Sequence, residues 1–182
     1  MIRPAKIADA QAISQLITSN LKTKKKDKST GFLKYKRSPQ KVKKIIKKSI
    51  VALVYLDNDK IVGFMNAYPT IKYKNKKYQW QLPKLKNKYY NKQESTVVYL
   101  GTIDPNHLRQ GIGSQLYQQM VNALKDQGYN YLFASITSKP VKNKASWGFV
   151  KSKGFKIAAI VTSHKKPNKE VTLFVKKLKT EV

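Results

Sequence analysis

The segment Val97–Tyr117, VVYLGTIDPNHLRQGIGSQLY, constrains the fold of this chain more than any other. An apolar run ends at Asp104-Pro105, a short polar loop follows, and Gly111-Ile112-Gly113 opens an amphipathic stretch. That spacing predicts a strand, a sharp turn and a helix whose first turn is nearly free of side chains. Such a helix start presents unpaired backbone N–H groups and the positive end of a macrodipole, a setting that suits phosphate. A bare Gly-x-Gly also reads as a plain strand-to-helix turn. No Lys-Ser/Thr pair follows the second glycine, so this is not a Walker loop. It also lacks the third glycine and the early βαβ placement of a dinucleotide fingerprint.

The rest of the chain narrows the class. Its 182 residues give room for one domain with a sizeable core, and 41% hydrophobic content suits a globular protein. The apolar run Ile50–Leu56 is too short to span a bilayer, and MIRPAKIADAQ lacks the apolar centre of a signal peptide. The expectation is a cytoplasmic protein without membrane contact. With no cysteine and two distant histidines, neither a thiolate nucleophile nor a metal site is expected. No Gly-x-Ser-x-Gly elbow supports a hydrolase.

Charge is the unusual property. Lys+Arg number 38 against 9 Asp+Glu, a formal net charge of +29. Lysines crowd Lys22–Lys48, where Asp27 is the sole acid, and Lys72–Lys92, which contains none. A field of this size attracts nucleic acid and acidic partners nonspecifically, in a salt-dependent way. A solvated basic face without a specific partner is the blander reading. Either way the surface repels polycations, unless the few acids gather at one mouth.

The periodicities place the elements. Met1–Ala5 reads as an edge strand, and Asp9 as the N-cap of a helix carrying Ile13, Leu16, Ile17 and Leu21. Ser38-Pro39 starts a second helix striped by Val42, Ile45, Ile46 and Ile50. Val51–Leu56, the turn Asp57-Asn58-Asp59 and Lys60–Tyr68 form a hairpin. Residues 69–95 read as a lysine- and aromatic-rich insertion. Thr96–Ile103 is a strand, Ile112–Leu124 a helix closed by Gly128, and Tyr131–Ile136 a strand. A short helix Asn143–Lys153 ends at Gly154, and strands Phe155–Val161 and Val171–Leu178 flank a turn Ser163–Lys169. The order is β-α-α-β-β-β-α-β-α-β-β, an α/β (α+β) arrangement in one domain over 1–182.

Asn143-Lys144-Ala145-Ser146, then Phe149 and Lys153-Gly154-Phe155, follow the glycine loop on the next strand–helix unit. With the element order and the MIRPAKIADAQAI opening, these motifs closely resemble the GNAT superfamily of N-acyltransferases. Lys139-Pro140 followed by Asn143 and Ser146 is similar to its poorly characterised, predicted-acetyltransferase members. The resemblance implies a mixed, mostly antiparallel sheet of about seven strands flanked by about four helices. It also implies acetyl-CoA as co-substrate, no metal, an amine acceptor, and a monomer or homodimer.

Roles carry over by position. Arg109, Gln110, Gly111, Ile112, Gly113 and Ser114 would hold the pyrophosphate through backbone N–H groups. Gly101, Thr102 and Ile103 would pair with the pantetheine arm, and Ile103 would supply a backbone oxyanion donor. Asn143 would hydrogen-bond the pantetheine, and Lys139, Lys142 or Lys144 would screen phosphates. Two positions depart from the family pattern. Leu108 stands where Arg or Gln usually opens the loop, with Arg109 next to it as a substitute. Val150 occupies the place of a proton-donating tyrosine, which leaves Ser146, another tyrosine or water for that step. Glu94, ahead of the central strand, is the candidate general base. Asp104 is expected to tie down the Asp-Pro turn; His107 touches the cofactor or faces solvent, and His164 sits on the surface of the last hairpin turn. Trp80, Tyr89 and Tyr90 shape an acceptor pocket or pack on the sheet. The function that follows is acetyl transfer to a small, non-polycationic amine by direct attack in a ternary complex. The alternative is a nucleic-acid- or ribosome-associated basic protein that uses the fold as a scaffold or acetylates a ribosomal protein.

Overall fold

The computed structural model describes residues 1–21, 33, 35–69, 95–163 and 166–178. The lysine- and aromatic-rich stretch with Trp80, Tyr89 and Tyr90, the candidate base Glu94, and His164 lie outside the described residues. Seven strands and four α-helices occur among the described residues, in the order the periodicities predict. They belong to two compact units. One comprises 1–21, 33, 35–68 and 98–127; the other comprises 69, 95–97, 128–163 and 166–178.

The first unit holds β1 (Ile2–Pro4), α1 (Ala10–Ser19), α2 (Pro39–Lys48), β2 (Val51–Asp57), β3 (Lys60–Pro69), most of β4 (Ser95–Ile103) and α3 (Ile112–Asp126). β1 pairs antiparallel with β2, and β2 with β3. The β2–β3 connection is a two-residue turn in which Asn58 (φ 44°) and Asp59 (φ 62°) are both left-handed. That geometry matches the twist of a hairpin, and Asn and Asp tolerate it better than most residues.

Alternation along β2 and β3 sends side chains to two faces. Val54 and Phe64 join Ala10, Ile13, Leu16, Ile17, Val42 and Ile45 in a cluster beneath α1 and α2. The adjacent Gly63 points the other way, toward α3, where an added Cβ would lie 2.9 Å from Leu116 and 3.1 Å from Ile112. The helix is therefore seated against the sheet through a position with no side chain. Its apolar face, Ile112, Leu116, Tyr117, Met120, Val121 and Leu124, is buried. Tyr117 is buried with it, which pushes its phenol up to about 12 and keeps it protonated at neutral pH.

The start of α1 corrects one expectation. The Asp9 side chain accepts no hydrogen bond from the first turn of α1. Its carboxylate is drawn instead to Arg3, at 2.7 and 2.9 Å, and to the Lys6 N–H at 2.7 Å, where it closes a short 3₁₀ turn over Ile7–Asp9. A nearby guanidinium and an N–H behind it outcompete the helix ahead. Ser38 does cap α2 as expected, accepting from the Lys41 N–H at 3.4 Å beside Pro39.

The second unit holds β5 (Tyr131–Lys139), α4 (Lys144–Ser152), β6 (Lys156–Ser163) and β7 (Lys166–Lys177). β7 lies between β5 and β6 and pairs antiparallel with both. Here the expected turn Ser163–Lys169 is shorter: β7 already runs from Lys166, and Ser163 pairs with Lys166. The ladder with β6 is irregular here, stepping from Thr162 paired with Glu170 to Ser163 paired with Lys166. Trp147 of α4 meets the fully buried Phe174 of β7 edge-on, with ring centroids 5.0 Å apart.

Candidate functional site

The loop from β4 to α3 is tied down at each step. The Ile103 carbonyl accepts from Asn20 Nδ2 at 2.9 Å. The Asp104 N–H donates to the Val62 carbonyl at 2.7 Å. The Asp104 carboxylate accepts from the Asn106 N–H at 2.9 Å, which confirms its part in the Asp-Pro turn. Burial pushes the Asp104 carboxyl up, but the Asn106 N–H, His107 and the Lys60 charge outweigh it and hold it below the usual range. Asp104 is thus an ionised acceptor fixing backbone.

After the 3₁₀ turn Pro105–His107, the chain turns sharply through two left-handed residues, Arg109 (φ 64°) and Gly111 (φ 79°). Arginine in that region costs roughly 1–2 kcal/mol, whereas glycine adopts it freely. Gly111 is the N-cap of α3 and has no side chain to offer. The Ser114 and Gln115 N–H groups fold back on the Gly111 carbonyl at 2.9 and 3.0 Å. The donors ahead of them, Ile112 and Gly113, have no intrahelical acceptor by helix geometry. Arg109, Gln110 and Gly111 are exposed, and the side chain of the neighbouring Leu108 is half-buried. The outcome is a short turn whose first N–H groups the helix itself does not satisfy, with the positive end of a 15-residue helix behind them.

Along the end of β4, Gly101 is exposed, Thr102 is buried and Ile103 is half-buried. An added Cβ at Gly101 would come within 3.3 Å of Met65 Cε. Thr102 is only 6% exposed, and its Oγ1 finds no hydrogen-bond partner among the described residues.

Asn143 and Ser146 lie in the second unit. Asn143 is buried and caps α4: its Oδ1 accepts from the Ser146 N–H at 3.3 Å and its carbonyl from the Trp147 N–H at 2.9 Å. Its own N–H donates to the Thr137 carbonyl at 3.1 Å. The oxygen of this amide is thus engaged by the helix start. Ser146 is half-buried in the first turn of α4. Val150 is 6% exposed, part of the core, and its carbonyl accepts from the Phe155 N–H at 3.2 Å. Lys142 sits over the Trp147 ring at 3.7 Å, and Lys139 pairs with Glu170 at 3.2 Å, so two of the three lysines named for phosphate screening have partners in their own unit.

The structure thus gathers Gly101–Ile103 and Arg109–Ser114 on one continuous strand–turn–helix segment, and sets Asn143 and Ser146 together on another. Three contributors were not singled out from the sequence. Gly63 carried a signal, since a glycine inside a strand pattern marks close approach of another element. Asn20, past the end of α1, and Asp57, in the hairpin turn, carried none, because their partners are distant in sequence.

Near this segment a cavity of about 490 Å³ opens beside α1, lined in part by Arg3, Asp9, Asp59, Lys60 and Asp104. Three of the chain's few acids meet here. Asp9 is paired with Arg3, and Asp104 is spent on Asn106 and His107. Asp59 alone of the three has no ion pair among the described residues, and Lys60 adjoins it. The acids gather without forming a strongly negative mouth.

The sequence model of the acetyltransferase (GNAT) family matches residues 23–155. No curated protein sequence matches the chain. Among solved structures, an aminoglycoside 6'-N-acetyltransferase complexed with coenzyme A is similar, with a TM-score of 0.73 at 12% identity over 100% of this chain and 99% of that one. An N-acetyltransferase from Staphylococcus aureus gives 0.69 at 19% identity, covering 98% of each chain. The ribosomal-protein-S18-alanine N-acetyltransferase from Escherichia coli gives 0.67 at 12% identity over 100% and 96%. At these identities the likeness is one of fold, and it extends over the whole chain. No helix among the described residues is long and apolar enough to cross a membrane.

Proposed function

We propose, from the premise that this chain belongs to the acetyltransferase (GNAT) family, that it transfers an acetyl group from acetyl-CoA to a small amine that is not a polycation. The observation that carries the reading is the uncapped, left-handed start of α3 at Gly111, which suits a pyrophosphate better than any side-chain-capped helix start would. Acetyl-CoA brings a thioester: the amine nitrogen bonds to the carbonyl carbon, the carbon–sulfur bond breaks, and the ammonium proton must be removed.

The chain's own residues would do the following. Arg109 to Ser114 bind the diphosphate through backbone N–H groups, and the exposed Arg109 stands in for the side chain that Leu108 cannot provide. Gly101, Thr102 and Ile103 align the pantetheine along the strand edge. The Ile103 N–H, one peptide before the Ile103–Asp104 unit that Asn20 and Val62 hold, would stabilise negative charge on the thioester oxygen. Asn143 Nδ2 supplies a donor to the amides of the pantetheine. Rate then comes mainly from holding amine and thioester in line. Glu94 is the proposed base and Ser146 the proposed proton donor; Val150 is packed in the core and has no proton to give.

The acceptor class follows from charge. At +29, with Asp9 and Asp104 already engaged, the surface disfavours polyamines and aminoglycosides in favour of neutral or anionic amines. Titration calorimetry with acetyl-CoA tests the first half of the proposal, and absence of binding sinks it. A panel assay tests the second: turnover of amino-acid-like amines is expected, and rapid turnover of spermine with none of anionic amines overturns it.

A second reading rests on α2. Lys41, Lys43, Lys44, Lys47 and Lys48 are all exposed on this ten-residue helix, which contains no acid. Like charges at i,i+3 and i,i+4 repel, and a polyanion would relieve them. RNA affinity that persists at physiological salt supports a nucleic-acid- or ribosome-associated role. Affinity lost by then marks nonspecific attraction.

A further inference from the structure

We infer that His107 is a positioning residue that clasps the diphosphate loop to the β2–β3 hairpin, and thereby sets affinity for the CoA moiety without taking part in acetyl transfer. The inference rests on the reading of that loop given above and adds to it a device in this chain's own residues.

The imidazole sits between two carboxylates from different places in the sequence. Its Nδ1 lies 3.3 Å from Asp104 Oδ1, and its Nε2 lies 3.2 Å from Asp57 Oδ2, fifty residues away in the hairpin. The ring is well covered, with 20% of its side chain exposed, while Asp57 is 52% exposed. His107 is therefore mostly covered, where a solvent-facing ring was one of the two expectations for it. A carboxylate accepts only, so both contacts are hydrogen bonds when both ring nitrogens donate.

Position gives the clasp its consequence. His107 ends the 3₁₀ turn, two residues before the left-handed Arg109 and four before Gly111. A loop that holds an arginine at φ 64° needs its surroundings to keep it there. On its near side Asp104 is held by Val62 and Asn106; on its far side α3 is seated on Gly63. Between those two anchors, the His107–Asp57 contact is the tie from the loop to the hairpin. The other charged groups around the turn are Asp59, Lys60 and Arg109, and none makes a salt bridge to His107. Loosening the tie lets the N–H groups wander from the positions that converge on a diphosphate. It leaves the acetyl-bearing end of the ligand, at β4, untouched.

The test is steady-state kinetics and CoA calorimetry on the full chain and three variants: His107→Ala, Asp57→Asn and the double substitution. His107→Ala is expected to raise KM for acetyl-CoA and Kd for CoA about fivefold, the scale of a partly exposed ion pair, with kcat unchanged. Asp57→Asn should do much the same, and the double variant no more than either alone. Asp57 is half-exposed in a surface turn, so its substitution leaves a folded protein even where His107→Ala does not. Unchanged Kd in both single variants overturns the clasp, as do additive effects or a fall in kcat that matches the rise in KM. If wild-type protein fails to bind CoA, the reading of the loop and the clasp fall together; if it binds and the variants match it, the clasp alone falls.

Discussion

Two helix starts in this chain solve the same problem in opposite ways. At α4, Asn143 turns its side-chain oxygen onto the Ser146 N–H and closes the helix with its own residues. At α3, Gly111 brings no side chain, and only the donors from Ser114 onward find a carbonyl behind them. Helix starts leave backbone donors unmet, and the difference lies in what is allowed to meet them. A side-chain cap stabilises the helix and uses up a donor. A glycine start gives up part of that stability, roughly a few tenths of a kcal/mol, and leaves the donors for something else. The surroundings support the contrast: α3's loop is fastened by Asn20, Val62 and Asp104, so it can remain open without fraying.

Substitution at Gly113 breaks the comparison most severely. Gly113→Leu adds a bulky side chain within the first turn of α3, among the N–H groups the helix leaves unsatisfied. Affinity for CoA should fall by more than about a hundredfold in calorimetry, while circular dichroism stays that of the parent, because leucine is a good helix residue. Retained binding would mean that the open start of α3 does not face the ligand.

Gly63 probes the seat of the same helix rather than its donors. Gly63→Val drives a Cβ to within 2.9 Å of Leu116 and 3.1 Å of both Ile112 and Tyr55, none of which is at a flexible chain end in solvent. Overpacking of this kind costs roughly 1–3 kcal/mol and should be read as a lowered denaturation midpoint. CoA affinity should fall with it, since α3 has to shift. Loss of stability with affinity intact would uncouple the seat of α3 from its donors.

At α4 the expected balance reverses. Asn143→Ala should cost about 1 kcal/mol of stability through the lost cap, and Asn143→Asp should recover it because aspartate caps equally well. Only the amide has Nδ2, so CoA affinity should fall in both variants if Asn143 also donates to the pantetheine. Recovery of affinity by Asp would leave Asn143 as a cap and nothing more.

How far the sequence reached follows from the same residues. Element order, the Ser38 cap, the Asn58-Asp59 turn and the Gly111, Gly128 and Gly154 punctuation are local, and each is written in a short window. The capping role of Asn143 was not read from the sequence, where the resemblance assigned the residue to a ligand, although Ser146 lies three residues on as a cap requires. Pairings such as Asn20 with Ile103, or Asp57 with His107, span 83 and 50 residues and depend on how strands are ordered. A composition rich in lysine also hid where the acids are used. With nine acids in the chain, Asp9 looked free to cap α1, yet an arginine six residues earlier had the stronger claim.

That third helix start offers the smallest effect and the clearest sign. Asp9 is held below the usual carboxylate range, first by its hydrogen bond to Arg3 and, against the cost of burial, by the Lys6 N–H. The folded protein therefore binds this proton less readily than the unfolded chain, and the pair stabilises only while Asp9 is ionised. Its contribution is complete above the unfolded value, about 3.9, and is lost as pH falls through the lower folded value. Asp9→Asn should accordingly lower stability by about 0.5–1 kcal/mol at pH 7, with the same gap at pH 5. The gap should narrow below pH 4 and close once Asp9 is protonated in both states. Urea unfolding of the two proteins across that range checks it. A gap independent of pH would mean that Asp9 holds the Lys6 turn by shape alone, and that the start of α1, like that of α4, is secured by a hydrogen bond rather than a charge.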